Sequence, residues 1–370
     1  MKLSIARDQL AAGLQAVQTV IGGRSTLPIL SNVLLRAANG ALELTGTDLD
    51  VSIRTRVAAS VEEGGSITLP AKTLASIVRE LSHPEIELSL EAQTTCGIRC
   101  GPSQFRLRGL PAEEFPSVDL PETPRLARLP QNELRKMLRQ TAFAASTDDA
   151  RYVLNGLFWA AKEHRLTLVA TDGKRLALTY RDTELEPGVE REFVLPIKAV
   201  TELGRLLKDQ GEVEISVSEN QAAVRILSDK DDGETLLLTK LLEGAYPDYR
   251  QVIPQQCKKQ VTVIREELLQ ALRRAEIVTT ERANSVKLNF SRNELCITAN
   301  SPDIGEAQEV LTVKYDGEEE FAIAFNPVYL VEALRALEEE EVRLELNDHL
   351  SPGILRTEGS FLYVIMPMRM

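Results

Sequence analysis

Leu42-Glu43-Leu44-Thr45-Gly46-Thr47-Asp48 is a short alternating strand that stops at a threonine–aspartate pair, and the chain repeats it. Leu166-Thr167-Leu168-Val169-Ala170-Thr171-Asp172 is a second copy and Leu295-Cys296-Ile297-Thr298-Ala299-Asn300-Ser301 a third, at offsets of 124 and 129 residues. Other segments recur in the same order. Ile67-Thr68-Leu69-Pro70 returns as Phe193-Val194-Leu195-Pro196 and as Ala324-Phe325-Asn326-Pro327, and Glu114-Phe115-Pro116 returns as Ala245-Tyr246-Pro247. Repeats of 20–50 residues stack as solenoids, but a unit near 125 is large enough to own a core. Three similar domains are expected, 1–124, 125–253 and 254–370, with joins near 120–128 and 251–258.

Within each domain the pattern divides again into a short strand, an amphipathic helix and further strands. Helices are expected to open near Arg7, Ala71, Gln131, Ile197, Arg265 and Pro327, running to about residues 20, 82, 146, 208, 278 and 337. Pro70, Pro130 and Pro196 stand at or near the first helical position, where a missing N–H costs nothing. Val33–Arg36, Ala41–Thr45 and Val51–Val57 alternate with period two, and Asn39-Gly40 is a hairpin turn. The expected class is α+β, with antiparallel sheets covered on one face by two helices per domain.

Of the 370 residues 43% are hydrophobic and 26% charged, an ordinary globular balance. The N-terminal Met1-Lys2-Leu3-Ser4-Ile5-Ala6-Arg7-Asp8 meets charge too early for a signal peptide, and no apolar run reaches the ~20 residues of a membrane span, so a cytoplasmic location is expected. Cys96, Cys100, Cys257 and Cys296 are scattered, as are His83, His164 and His349, a distribution that reads as reduced, partly buried thiols and not as a metal site.

The net charge of −12, taken whole, argues against a polyanion partner, but its distribution along the chain points the other way. On the expected helix Gln131–Ser146, Leu134, Met137, Leu138, Thr141, Ala142 and Ala145 make a buried stripe while Arg135, Lys136 and Arg139 fall opposite. Ile197–Lys208 repeats this, with Val200, Leu203, Leu206 and Leu207 inside and Lys198, Arg205 and Lys208 outside; Lys72 and Arg79 do the same on the helix from Ala71. The six helical segments together carry +5 and the rest of the chain −17. Such segregation attracts a polyanion to the helical layer and repels it elsewhere, with no helix basic enough for tight reading.

Six segments carry a family resemblance. They are Gly22-Gly23-Arg24-Ser25-Thr26-Leu27-Pro28-Ile29-Leu30, Leu44-Thr45-Gly46-Thr47-Asp48-Leu49, Arg151-Tyr152-Val153-Leu154-Asn155-Gly156, Ala170-Thr171-Asp172-Gly173-Lys174-Arg175-Leu176, Tyr246-Pro247-Asp248-Tyr249-Arg250 and Tyr363-Val364-Ile365-Met366-Pro367-Met368-Arg369. In this order they resemble the bacterial DNA polymerase III beta subunit, the replicative sliding clamp.

The resemblance implies a head-to-tail homodimeric ring that encircles duplex DNA and confers processivity, without catalytic residues or cofactor. It implies DNA contact by Arg24, Lys72, Asp148, Tyr152, Val153 and Lys198. Asp148 and Val153 depart from the best-known members, which have Gln and Tyr there. It also implies a partner-peptide pocket of Leu154, Thr171, Gly173, Lys174, Arg175, Leu176, Pro247, Val252, Val364, Met366, Pro367, Met368 and Arg369, with Gln251 where relatives often carry a basic residue. Phe105, Ile277 and Val278 match family dimer-interface positions. Beside them, charge complementarity suggests that Arg99, Arg106 and Arg108 meet Asp303, Glu306 and Glu309 across the joint. Implied partners are duplex DNA, the replicative polymerase's catalytic subunit, the clamp loader, other polymerases and repair proteins bearing short peptide motifs, and a second copy; no membrane.

Two other classes compete with this reading. Asp172-Gly173-Lys174 could present a carboxylate and an amine for phosphate chemistry, but the sequence has no phosphate loop, nucleophile elbow or paired metal ligands. An interaction scaffold that never encloses DNA would use the pocket alone, and would not need segregated basic helices.

Overall fold

The computed structural model describes residues 1–22, 27–118, 123–185, 189–227, 233–280, 284–315, 317 and 320–369. The six helices begin where the sequence places them: α1 (Arg7–Gln18), α2 (Ala71–Glu80), α3 (Gln131–Thr141), α4 (Ile197–Leu206), α5 (Arg265–Glu276) and α6 (Pro327–Ala336). All end before the expected limits, α3 by five residues. There the Thr141 hydroxyl donates back to Met137 O at 2.8 Å, and residues 142–144 tighten into a 3₁₀ turn. Pro70 is the residue before α2 rather than its first, whereas Pro327 does open α6.

Among the described residues twenty-five strands connect them. In the first repeat these are β1 (Lys2–Ala6), β2 (Asn32–Ala38), β3 (Ala41–Thr47), β4 (Val51–Ala58), β5 (Ser60–Glu63), β6 (Gly65–Pro70), β7 (Glu85–Ala92), β8 (Thr95–Cys100) and β9 (Ser103–Arg108). The second holds β10 (Arg125–Pro130), β11 (Gly156–Lys162), β12 (Arg165–Thr171), β13 (Arg175–Asp182), β14 (Arg191–Pro196), β15 (Glu212–Val217), β16 (Gln221–Leu227) and β17 (Glu234–Lys240). In the third are β18 (Lys259–Ile264), β19 (Val286–Ser291), β20 (Glu294–Ser301), β21 (Gly305–Thr312), β22 (Phe321–Phe325), β23 (Glu341–Leu346), β24 (Gly353–Arg356) and β25 (Leu362–Ile365).

The repeats share sheets. Each contributes two four-strand blocks, β6-β2-β3-β4 and β1-β7-β8-β9 in the first, with counterparts in the other two. Antiparallel pairing of β4 with β17, from Thr55↔Thr235 to Val51↔Thr239, fuses one block of the first repeat with one of the second into an eight-stranded sheet. The same pairing of β13 with β25, from Arg175↔Ile365 to Leu178↔Leu362, fuses the second repeat with the third. Two smaller sheets remain, β5-β1-β7-β8-β9 and β21-β20-β19-β22, with β9 and β21 as edges.

Two compact units follow from this sharing. One holds Met1–Arg135, Thr183–Glu190 and Lys198–Leu242, the other Lys136–Asp182, Arg191–Ile197 and Glu243–Met370. In the first unit α1 lies on β3 and β4 beside α2, burying Leu10, Leu14 and Val17. Gly46 allows the close approach: a Cβ there would stand 2.8 Å from Val17 O. In the second, α5 packs on α6, β20 and β21 through Leu268, Leu269 and Leu272.

Candidate functional site

All the expected pocket residues lie in the second unit, and Thr171, Gly173, Lys174, Arg175, Leu176, Val364 and Met366 gather at one turn and the strand pair beside it. Thr171 ends β12, donates its hydroxyl to Arg175 O at 2.6 Å and accepts from Gly173 N at 3.1 Å. Asp172 Oδ1 accepts from the backbone N–H of Lys174 at 2.8 Å and Arg175 at 3.1 Å. The turn needs φ = 85° at residue 173, which glycine adopts without steric cost. Arg151 donates from Nη1 to Asp172 O at 2.7 Å, so the 148–154 segment is tied to the same turn.

Arg175 leaves the turn into a partly closed space, its side chain 9% exposed. Its Nε donates to Asp172 Oδ2 at 3.1 Å, its Nη2 to Phe143 O at 2.8 Å, and its Nη1 to Glu332 Oε2 on α6. The guanidinium also lies 4.4 Å from the centre of the Tyr329 ring. Burial alone would lower the Arg175 pKa, but the Glu332 carboxylate and its neighbours outweigh it and raise it. The result is a cation fixed in one orientation by two acids, a carbonyl and a ring.

Around it β13 pairs with the last strand, Leu176 opposite Val364, and Met366 N continues the ladder to Lys174 O at 2.9 Å. Pro367 then stops that pairing, and Met368 N turns to Ala324 O on β22 at 2.8 Å. Met368 thereby ties the residues after the proline to a second sheet. Met366 is 43% and Val252 48% exposed, while Leu154, Pro367 and Met368 are intermediate. Pro247 follows Tyr246, whose ring stacks on Phe158 at 4.9 Å and whose phenol is raised by burial. An exposed, flexible Met366 on the strand beside this rigid turn suits an apolar partner segment. Glu332, Tyr329 and Phe143 are absent from the motifs that the sequence offers; nothing about an acid on an amphipathic helix marks it as an arginine's partner.

The expected DNA residues are spread over both units. Lys72 and Lys198 occupy the second position of α2 and α4 in the first unit, both exposed. Lys72 has no ion pair among the described residues, whereas the Lys198 ammonium is held by the Asp48 carboxylate. Asp148, Tyr152 and Val153 lie in the second. Asp148 caps its own 3₁₀ turn, accepting from Ala150 N at 3.0 Å, Tyr152 is 59% exposed and Val153 is half-buried. Arg24 lies outside the described residues.

Of the expected interface, Phe105 is 40% exposed on the edge strand β9 and Ile277 is 73% exposed just after α5, followed by Val278. The charges beside them already have neighbours. Arg106 meets Glu91 at 2.8 Å, Arg99 meets Glu87 at 3.8 Å, and Arg274 Nε donates to Glu309 Oε1 at 2.9 Å. Arg108, Asp303 and Glu306 have no ion pair among the described residues. Cys96 and Cys100 are buried in β8, and burial pushes the Cys96 thiol up to about 11, far from the range of a reactive thiolate. Among the described residues no three His, Cys, Asp or Glu side chains cluster as metal ligands, and no helix is long and apolar enough to cross a membrane.

The chain matches the N-terminal, central and C-terminal domains of the DNA polymerase III beta subunit over residues 1–119, 128–248 and 250–369. It is 37% identical to the beta sliding clamp of Chlamydia muridarum over 370 residues, covering 100% of this chain and 99% of that one. With the beta sliding clamp of Escherichia coli K12 it shares 37% identity over 376 residues and 100% of both chains. Among solved structures, the DNA polymerase III subunit beta of Pseudomonas aeruginosa superposes with a TM-score of 0.93 at 35% identity, over 100% of each chain. The sliding clamp of Bacillus subtilis gives 0.93 at 32%, over 100% of this chain and 99% of that one. Matched end to end by sequence and by fold, the chain belongs to the DNA polymerase III beta subunit family, the non-catalytic beta sliding clamps of DNA replication.

Proposed function

We propose that two copies of this chain close head to tail around duplex DNA and hold the replicative polymerase there, so that enclosure and not affinity keeps the polymerase at work. The observation that carries this reading is the unfinished series of strand joins. Block edge β4 takes β17 and block edge β13 takes β25; the third edge of that kind, β21, and the third acceptor, β9, have no strand partner on that side among the described residues. An unpaired edge is a template for another chain, and two complementary ones on each molecule give a head-to-tail dimer. Phe105 lies on β9 and Val310, 54% exposed, on β21; Ile277 and Val278 lie beside this joint. Among the described residues Arg108, Asp303 and Glu306 are the expected joint charges without an ion pair, since Glu309 is engaged by Arg274.

On this reading the domains are 1–124, 125–253 and 254–370. Lys72, Lys198, Tyr152 and Val153 face DNA, together with Arg24 and the loop of Asp148. The pocket from Leu154 to Arg369 takes short peptide segments of the polymerase's catalytic subunit, of the clamp loader and of other polymerases and repair proteins, in the cytoplasm. A polymerase so tethered experiences a high local concentration of its template, and brief release ends in rebinding.

Phe105→Arg tests the joint: it places a charge in an apolar strand contact. Sedimentation at sub-micromolar concentration is expected to give monomer, with peptide affinity unchanged. A persistent dimer contradicts the assignment.

A further inference from the structure

The cations of α3 and α4 are not free. Arg135 is paired with Asp209, and Lys198 with Asp48 in the turn before β4. On the later part of α3, Lys136 Nζ stands 3.2 Å from Glu339 and Arg139 Nη2 stands 2.6 Å from Glu338, both acids lying in the segment after α6. Four cations that the charge segregation assigns to DNA thus each carry a carboxylate of the same chain. Those acids come from three separate places in the sequence.

Two of the acids, Asp48 and Glu339, are held in the charged form. Asp48 is fixed by the backbone N–H of Asp50 at 3.0 Å and Val51 at 2.8 Å. Burial would raise its carboxyl, but Lys198 and those two amides outweigh it and hold it below the ordinary range. Glu339 follows the same pattern with its own backbone and Lys136.

We propose that Asp48, Asp209, Glu338 and Glu339 act as built-in counterions that keep the protein's grip on DNA weak. The inference rests on the reading of α3 and α4 as DNA-facing. A free lysine that meets a phosphate releases a bound salt ion, and each such contact steepens the salt dependence of binding by about 0.9 in log–log slope. A lysine already neutralised by a neighbouring carboxylate must first surrender that partner, which is present at high effective concentration and costs no diffusion to rejoin. The displaced acid then faces the phosphate with like charge. Phosphates passing the ring meet cations that are available but already answered, so the duplex slides past without deep wells along its length.

The test uses the full-length protein and a linear 30-base-pair duplex of mixed sequence, with Kd measured from 25 to 300 mM salt. Asp48→Asn preserves the oxygen that accepts the turn's two amides and removes only the charge; Glu338→Gln with Glu339→Gln releases Lys136 and Arg139. Expected is a tighter Kd at low salt, about two- to five-fold per carboxylate removed, the worth of one exposed ion pair. The log–log slope should steepen and the difference should vanish at high salt. Glu219→Gln, an exposed acid on the β15–β16 turn, removes the same charge away from these cations and is expected to change Kd by less than about 1.5-fold. Equal effects from Glu219→Gln and Asp48→Asn overturn the proposal in favour of net charge, and so does an unchanged Kd in the carboxamide variants. Lys72→Ala with Lys198→Ala separates the two ideas. If that variant weakens binding while the carboxamides do nothing, the helices face DNA but the counterion role is wrong; if it leaves Kd unchanged, the DNA-facing reading itself has failed.

Discussion

At Thr47–Val51 and at Thr171–Arg175 the backbone makes the same turn twice. In each a threonine hydroxyl accepts from the N–H two residues on, at 3.0 Å from Leu49 and 3.1 Å from Gly173, and an aspartate caps the N–H groups two and three residues beyond it. Both turns place their third residue at positive φ, 81° for Leu49 and 85° for Gly173. What differs is the next side chain outward. The first turn ends in Val51, which enters the core, and its Asp48 reaches a lysine on α4; the second ends in Arg175, which reaches a glutamate on α6. The charge polarity is reversed, acid on the turn in one case and base on the turn in the other. On the proposed function, one backbone device serves the DNA-facing side in the first repeat and the peptide pocket in the second. The third copy, Asn300-Ser301-Pro302, lacks the carboxylate; strand β20 runs on to Ser301, and Ile304 N bonds to Ser301 O at 3.2 Å instead.

Removing one charge from the second turn should have the largest effect. Arg175→Ala strands Asp172 and Glu332 in a half-buried site and is expected to cost about 3–5 kcal/mol in denaturant unfolding, with peptide binding lost. Deleting residues 366–370 should lower peptide affinity by more than about tenfold while the dimer survives at low concentration; monomer formation would show that the tail belongs to the joint.

The glycine and leucine at the third position give a smaller, opposed pair. Gly173→Ala strains the backbone and sets a Cβ 2.7 Å from Arg151 Nη1, a loss of about 1–3 kcal/mol with weakened peptide binding. Leu49→Gly relieves about 1–2 kcal/mol of left-handed strain against about 0.5–1 of added chain entropy, so thermal unfolding should show a gain of up to about 1 kcal/mol and no change in peptide affinity.

The smallest effect is in acid. A folded Asp48 pKa held below its unfolded value stabilises the fold above about pH 3.9, a contribution lost as pH falls through the folded value. Asp48→Asn should therefore be slightly less stable than the parent protein at neutral pH and converge with it in strong acid.

The starts of all six helices were legible because hydrophobic period switches from two to 3.6 there, and that signal is local. Helix ends were not, since Thr141 reverses its own hydroxyl onto the backbone and no periodicity announces it. The pairing of Thr55 with Thr235 joins residues 180 apart, and edge pairing of this kind leaves no trace in either strand alone. The residues proposed for the pocket were named through their family-like motifs, down to Arg175 and the terminal methionines. The pocket's charged support from α6 was not legible, because Glu332 acquires its role only when α6 and β13 meet. The segregation of charge was legible as a sum, but a sum hides pairing: the acids assigned to the remainder include the four that sit on the helical cations.

The central claim, that enclosure does the holding, is tested by loading the clamp onto nicked circular duplex and washing in salt high enough to dissolve phosphate contacts. Retention on the circle and loss within minutes of cutting it to a linear form are expected. Equal release from circle and linear DNA would mean that surface contact, and not a closed ring, had been doing the holding.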